Sequence, residues 1–300
     1  MRATVGIDIG GTKIEGAILS ADGRVLERKR IATEQEGGYD HILGRTTALI
    51  DELCRRSGGT RHVGLGTPGS LSARDGTLKN SNTLCLNGRR LRADLEARLG
   101  FYVHMENDAN CFALAEARLG AARGGGLVFG VILGTGVGGG IVVNDAIWTG
   151  PQHIAGEWGH HAIDPAGPQC YCGQRGCVEK LLSGPALETS YREAGGEPIA
   201  APGIAARAAA GEARAAAVLD AYLALFGRAM ANLISILDPA VVVLGGGMSN
   251  LDVLYQRGRD AVAARVFNDE LRTPIRRNAL GDSAGVIGAA LLAAPREAEE

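Results

Sequence analysis

The chain has 300 residues and a net charge of −2 at neutral pH. That length can carry two modest domains, each with its own core, and the charge excludes the basic footprint that a nucleic-acid backbone requires. The segment "MRATVGIDIGG" has no leader pattern, and no apolar run reaches the roughly 18 residues of a spanning helix, so a cytoplasmic protein with reduced thiols is expected.

In chain order, "TVGIDIGG" reads as an apolar strand ending in glycine, and "TKIEGAILS" and "RVLERKRIA" follow it in hairpin order. "YDHILGRTTALIDELCRRSG" has helical spacing and stops at glycine. "HVGLGTPG" is a short strand running into a loop, "NSNTLCLNGRRL" a loop and "RADLEARLG" a helix. "FYVHM" is a strand, and "NDANCFALAEARLG" a helix. The pattern then restarts, since "LVFGVILGTGVGGGIVVNDAIWTG" echoes the first hairpin and its glycine turn. Two related α/β halves are expected, joined near residues 118–126. Residues 150–185 read as a loop. Alanine-rich helices follow, then the strand "AVVVLGGG", the helix "NLDVLYQRGRDAVAARVF", the short strand "TPIRRNAL" and a last apolar helix "AGVIGAALLAA".

The 45 glycines are about twice the ordinary share, and they cluster after apolar strands. Gly134–Gly139, "GTGVGG", fits the dinucleotide fingerprint by letters alone. That fingerprint requires a helix after the turn, whereas the β-branched "GIVVNDAIW" predicts a strand. A hairpin turn can still cradle phosphate with backbone N–H groups. One such turn would be a plain hairpin. Three glycine turns, at Gly10–Lys13, Gly134–Gly138 and Gly245–Gly247, favour phosphate binding. Asp8, ending the first strand, could hold Mg²⁺ through water. Lys13 suits either phosphate or a solvated strand edge.

Asn107 and Asp108 open a helix, where such residues are commonly caps, and the stretch alone favours that reading. Asp108 could also accept a proton from a hydroxyl nucleophile. Cys170, Cys172 and Cys177 lie close together, with His160 one short loop before them. In a reducing compartment such a group suggests metal more than disulfide. Three thiolates and one imidazole make a closed tetrahedral set typical of structural Zn²⁺. His161 competes with His160 for the fourth place. Cys54, Cys85 and Cys111 lie in apolar contexts and read as core residues.

In this order, "DIGGTK", "ENDAN", "LGTGVGGGI", "GEWGHH" and "CYCGQRGCVE" resemble the ROK family of sugar kinases and sugar-responsive repressors, over essentially the whole chain. "SILDPAVVVLGGGMSN" and "GDSAGVIGAA" further resemble fructokinases of the manno(fructo)kinase type, although the loop between His160 and Cys170 is shorter than in some of those. The resemblance implies an α/β, actin-like ATPase fold (ribonuclease H-like), with two domains closing on Mg-ATP and a sugar. It implies a small domain of residues 1–118, rejoined by a helix over 284–297, and a large domain of residues 119–283. Asp108 matches the family's catalytic base. Asn107, Asp108, Glu157, His160 and Glu179 match its sugar contacts. Gly10, Gly11, Thr12, Lys13, Gly134, Thr135, Gly136 and Gly138 match its phosphate segments, and Gly245, Gly246 and Gly247 its adenosine side. His160, Cys170, Cys172 and Cys177 match its zinc ligands. A homodimer is implied as well. The expected activity is phosphorylation of a hexose 6-hydroxyl, with fructose first, mannose possible, and glucose or N-acetylglucosamine as alternatives. The repressor branch carries a helix-turn-helix before the kinase-like part, for which the start at "TVGIDIGGTK" leaves no room.

Overall fold

The structure is a computed structural model that describes residues 3–294. Strand β1 (Thr4–Ile9) pairs antiparallel with β2 (Lys13–Leu19), and β2 with β3 (Val25–Ala32). Helix α1 (Gly38–Arg56) leads to β4 (Val63–Thr67), which lies parallel to β1. A small hairpin of β5 (Ser70–Leu71) and β6 (Leu78–Lys79) precedes α2 (Leu91–Leu99). Strand β7 (Val103–Asn107) then joins β4 in parallel and runs directly into α3 (Asp108–Arg118).

The second half repeats the plan. Strand β8 (Leu127–Leu133) pairs antiparallel with β9 (Val137–Val143), and β9 with β10 (Ala146–Ile147). Helices α4 (Val178–Leu182), α5 (Gly184–Glu193), α6 (Ala201–Ala209) and α7 (Ala213–Leu237) intervene. Strand β11 (Val241–Gly245) returns parallel to β8, α8 (Arg257–Ala263) follows, and β12 (Ile275–Arg277) lies parallel to β11. The orders β3-β2-β1-β4-β7 and β10-β9-β8-β11-β12 are the same topology twice, which is the physical content of the sequence echo.

Helix α9 (Ala284–Leu292) closes the chain and packs on β1 and β4 of the first sheet. It also crosses α3, which in turn packs on β8 and β9. The crossing depends on small residues. A Cβ on Gly288 would stand 1.8 Å from the Cys111 carbonyl oxygen, so the two backbones touch there. The expected helix over 284–297 therefore ends at Leu292, and residues 295–297 lie outside the described residues.

Three expectations change. The stretch 150–185 is not wholly loop. It contains a 3₁₀ turn at Trp158–His160, α4, and the start of α5. Ser183 caps α5 by accepting from the Ala186 N–H, and proline occupies its first turn, both ordinary start signals. The long helix expected from "NLDVLYQRGRDAVAARVF" is broken into a 3₁₀ turn at Asp252–Leu254 and the short α8. The Tyr255 hydroxyl donates to the Ser249 carbonyl at 2.7 Å and pins the chain at the break. Finally, α7 is long and apolar enough by composition to cross a membrane. Its Tyr222, Leu223, Phe226 and Met230 are instead buried in the core of the second half.

Candidate active site

Parallel strands end together at their carboxyl edges, where an open α/β sheet leaves room for ligands. β1 ends beside Asp8, β4 at Thr67, β7 at Asn107, β8 at Leu133 and β11 at Gly245. A cavity of about 180 Å³ opens there. Asn107, Asp108, Glu157, His160 and Glu179 all line it, as do Gly134, Thr135, Gly136 and Gly138 of the β8–β9 turn. A larger cavity of about 320 Å³ lies beyond β7, among Arg92, Glu106, Asn110 and His153, and contains none of the predicted site residues.

Asn107 does cap α3, accepting from the Asn110 N–H at 2.7 Å, as the sequence alone favoured. It caps the helix and lines the cavity wall at the same time. Asp108 follows, its Oδ1 accepting from the Ala109 N–H at 2.8 Å. Burial pushes the Asp108 carboxyl up to about 6, the Ala109 N–H pulls it back in part, and the charge of Glu157 adds to the rise. A base poised near neutral pH is suited to proton transfer. Asp8 is pushed up to about 7 by burial, then by Asp108 and Glu15, with Lys13 opposing. Clustered carboxylates that resist ionisation are what a divalent cation relieves.

The glycine turns sit around this cavity in different ways. At the first, the Gly10 N–H donates to the Lys13 carbonyl at 2.8 Å, and Thr33 Oγ1 donates to the Gly10 carbonyl at 2.7 Å. Gly10–Lys13 are not in the cavity wall itself. Lys13 Nζ lies 3.7 Å from the buried Glu15 carboxylate, with its own side chain 45% exposed. At the second turn, Glu179 Oε2 accepts from the Val137 N–H at 3.0 Å, which fixes an acid against the turn. At the third, Gly246 has φ 77°, and a Cβ there would meet the Leu133 carbonyl oxygen at 2.4 Å. This brings Gly245–Gly247 against the end of β8.

The cysteine segment folds back on the 3₁₀ turn that carries His160. Cys170 Sγ lies 3.6 Å from His160 Nδ1, and Cys172 Sγ 3.5 Å from Cys177 Sγ. All four donor atoms lie within 4.8 Å of one another. Tetrahedral zinc, with bonds of about 2.3 Å to sulfur and 2.0–2.1 Å to nitrogen, spaces its donors roughly 3.5–3.8 Å apart. The set therefore fits one tetrahedral ion. His161 lies outside it, exposed, with Nε2 3.5 Å from Asn232 Nδ2. Every cysteine is unbridged; Cys54 and Cys111 are buried, as expected of core thiols, and Cys85 is half-buried.

Among the wall residues that the sequence reading missed are Pro68, Gly69, Asn80, Asn82 and Tyr171. The first four belong to segments read only as loops. Asn80 carries a left-handed φ of 59°, a conformation that asparagine tolerates better than most residues. That tolerance was the one available signal.

Comparison with known proteins agrees with this geometry. The chain is 38% identical over 297 residues to the N-acetyl-D-glucosamine kinase of Photobacterium profundum, covering 96% of this chain and 98% of that one. It is 39% identical, with the same coverage, to the enzyme of the same name from Citrobacter koseri. Among solved structures, the ROK hexokinase of Thermus thermophilus superposes with a TM-score of 0.87 at 34% identity, covering 97% of both chains. The ROK family glucokinase of Streptomyces griseus, solved with glucose and AMPPNP, gives 0.80 at 28% identity, covering 97% of this chain and 98% of that one. None of these relatives bears the name fructokinase, so they do not support the subtype inferred from the tail motifs. The fold is that of the actin-like ATPases. The family model for ROK proteins matches residues 4–296, and the chain belongs to the ROK family.

Proposed function

We propose that the protein transfers the γ-phosphoryl group of ATP to the 6-hydroxyl of a hexose, with N-acetylglucosamine the leading substrate and glucose second. The observation that carries this reading is Asp108. Its carboxyl is tuned to about 6 and shares one cavity with two further carboxylates and a glycine turn. The named relatives favour N-acetylglucosamine over the fructose suggested by the tail motifs.

Asn107, Glu157, Glu179 and His160 would hold the sugar hydroxyls. Asp108 would take the proton of the primary hydroxyl as its oxygen attacks phosphorus, so positioning supplies much of the acceleration. The backbone N–H groups of the Gly10–Lys13 and Gly134–Gly138 turns would receive phosphate oxygens, and Gly245–Gly247 would flank the adenosine. Magnesium near Asp8 would supply charge neutralisation on the phosphates. His160, Cys170, Cys172 and Cys177 would hold structural zinc, a closed set with no position left for substrate. Residues 1–118 with α9 form one lobe and residues 119–283 the other; the packing of α9 on β1 and β4 supports this division. Six unbridged thiols support a reducing, cytoplasmic setting. A homodimer belongs to the same reading and is checked by light scattering.

The test is ADP release from Mg·ATP with N-acetylglucosamine, glucose, mannose, fructose or no sugar. N-acetylglucosamine well ahead in kcat/KM is expected. Fructose ahead would restore the first subtype, and release with none of them would overturn the kinase reading.

A further inference from the structure

Tyr171 stands between two of the metal donors, Cys170 and Cys172, yet its side chain is not part of the donor set. Its hydroxyl lies 2.9 Å from His160 Nε2. The two rings meet edge to face, with centroids 5.0 Å apart. His160 Nδ1 faces the thiols, 3.6 Å from Cys170 Sγ. A neutral imidazole that gives Nδ1 to a metal carries its proton on Nε2. The Nε2–H then donates to the phenol oxygen. Both residues line the cavity that holds Asp108 and Glu179. A sugar hydroxyl reaching His160 must therefore meet Tyr171.

Tyr171 is also poorly anchored. It is 71% exposed, and beyond His160 its ring contact is with Lys180, whose Nζ lies 5.8 Å from the centroid. A large aromatic side chain that is mostly exposed, yet laid against His160 across a cavity wall, is placed to shape what enters.

Resting on the sugar-kinase reading above, we infer that Tyr171 is a specificity-determining residue of the sugar site. Its ring bounds the cavity on the His160 side and limits the group the sugar presents there. Its hydroxyl occupies the Nε2–H that a bound sugar takes over. Phenylalanine keeps the wall and frees the donor, whereas alanine removes both.

The test measures sugar dissociation constants by calorimetry, with N-acetylglucosamine and glucose as probes. Wild type, Tyr171→Phe and Tyr171→Ala are compared, each with its zinc content assayed. With zinc retained, Tyr171→Ala shifts the ratio of the two constants by about tenfold or more, the scale of a small steric difference in a pocket. Tyr171→Phe leaves that ratio within about threefold and tightens both sugars by a similar factor, since a neutral hydrogen bond is no longer surrendered. A zinc-loaded alanine variant with an unchanged ratio overturns the inference. If alanine loses zinc, the phenylalanine variant decides, and unchanged or weakened binding in it is the overturning result. Binding without turnover in wild type would refute the kinase reading alone, because the ratio still tests Tyr171. No binding of either sugar would refute both.

Discussion

Asp108→Asn separates the two consequences of a tuned carboxyl. Asparagine retains an oxygen for the Ala109 N–H, so the start of α3 should persist. It cannot accept the substrate proton, and loss of a general base lowers turnover by roughly 10²–10⁴-fold. Sugar affinity should change little. The stability effect has the opposite sign. The folded pKa of about 6 exceeds the ordinary 3.8, so the native state binds the proton more tightly than the unfolded chain. The wild type therefore loses stability as pH rises from about 4 through 6, and the deficit stays constant above that. A carboxyl raised from 3.8 to about 6 carries a deficit of ~1–3 kcal/mol. The variant should thus be the more stable protein at pH 8, and the difference should vanish near pH 4. At about 2–4 °C per kcal/mol, its melting temperature at pH 8 rises by several degrees. Wild-type kcat/KM should also climb with pH on an acid limb near 6. Turnover within about tenfold of wild type, or equal stabilities across the pH range, would refute the assignment.

Cys172→Ser should lower zinc affinity by more than the roughly 10–100-fold that loss of an outer-shell partner costs, and weaken sugar binding with it. Zinc assay and calorimetry on the same sample check both, and full zinc occupancy with unchanged affinity would count against the donor set. Glu116 is fully buried and accepts from the backbone N–H groups of Ala121, Ala279 and Leu280. Glu116→Ala leaves three donors without an acceptor, at about 1–3 kcal/mol for each that stays dry; a fall in urea midpoint equivalent to less than ~1 kcal/mol would contradict this. Gly288→Val forces α9 off α3, and a loss of at least the ~1–3 kcal/mol of ordinary overpacking is expected in the same assay.

The sequence was most legible where chemistry and spacing coincide. Three cysteines and one histidine admit few bland readings, and the fold gathers those same four side chains. The repeated hairpin was legible because apolar alternation around glycine is a local pattern. The loop partners were not. Asn80 and Asn82 reach the cavity through the path of the chain, and nothing nearby in sequence marks them as neighbours of Asp108, whereas Tyr171 was flanked by two predicted metal donors and was passed over. Local signals also misled where a tertiary contact overrode them. Tyr255 reaches back to Ser249 and breaks a helix that the apolar spacing alone would continue. Glycine was read correctly as a marker and only partly for its reason. Of the glycines assigned to phosphate and adenosine, Gly246 alone has positive φ, while Gly11, Gly134 and Gly247 have little or nothing packed where a Cβ would stand.

That distinction bears on how the two halves cooperate. Glycines that leave open space on the cleft side let backbone N–H groups approach a ligand. Those at helix crossings let elements approach each other. Asp8, on the first sheet, faces Gly285 of α9, where a Cβ would come within 2.9 Å of its carboxylate. Cys111 of α3 touches Gly288 one turn further along. The candidate magnesium residue thus packs against α9, and α9 packs against α3, the helix that begins at Asp108. Glu116 ties the far end of that pair to residues 279–280, just before α9. α9 packs on the first sheet and α3 on the second, so the α3–α9 contact joins the two halves. Asp8 and Asp108 stand at the carboxyl ends of β1 and β7 of the same sheet, and the charge on Asp108 raises the cost of ionising Asp8. A cation entering with the nucleotide would relieve this repulsion, which gives a physical reason for metal and nucleotide to arrive together.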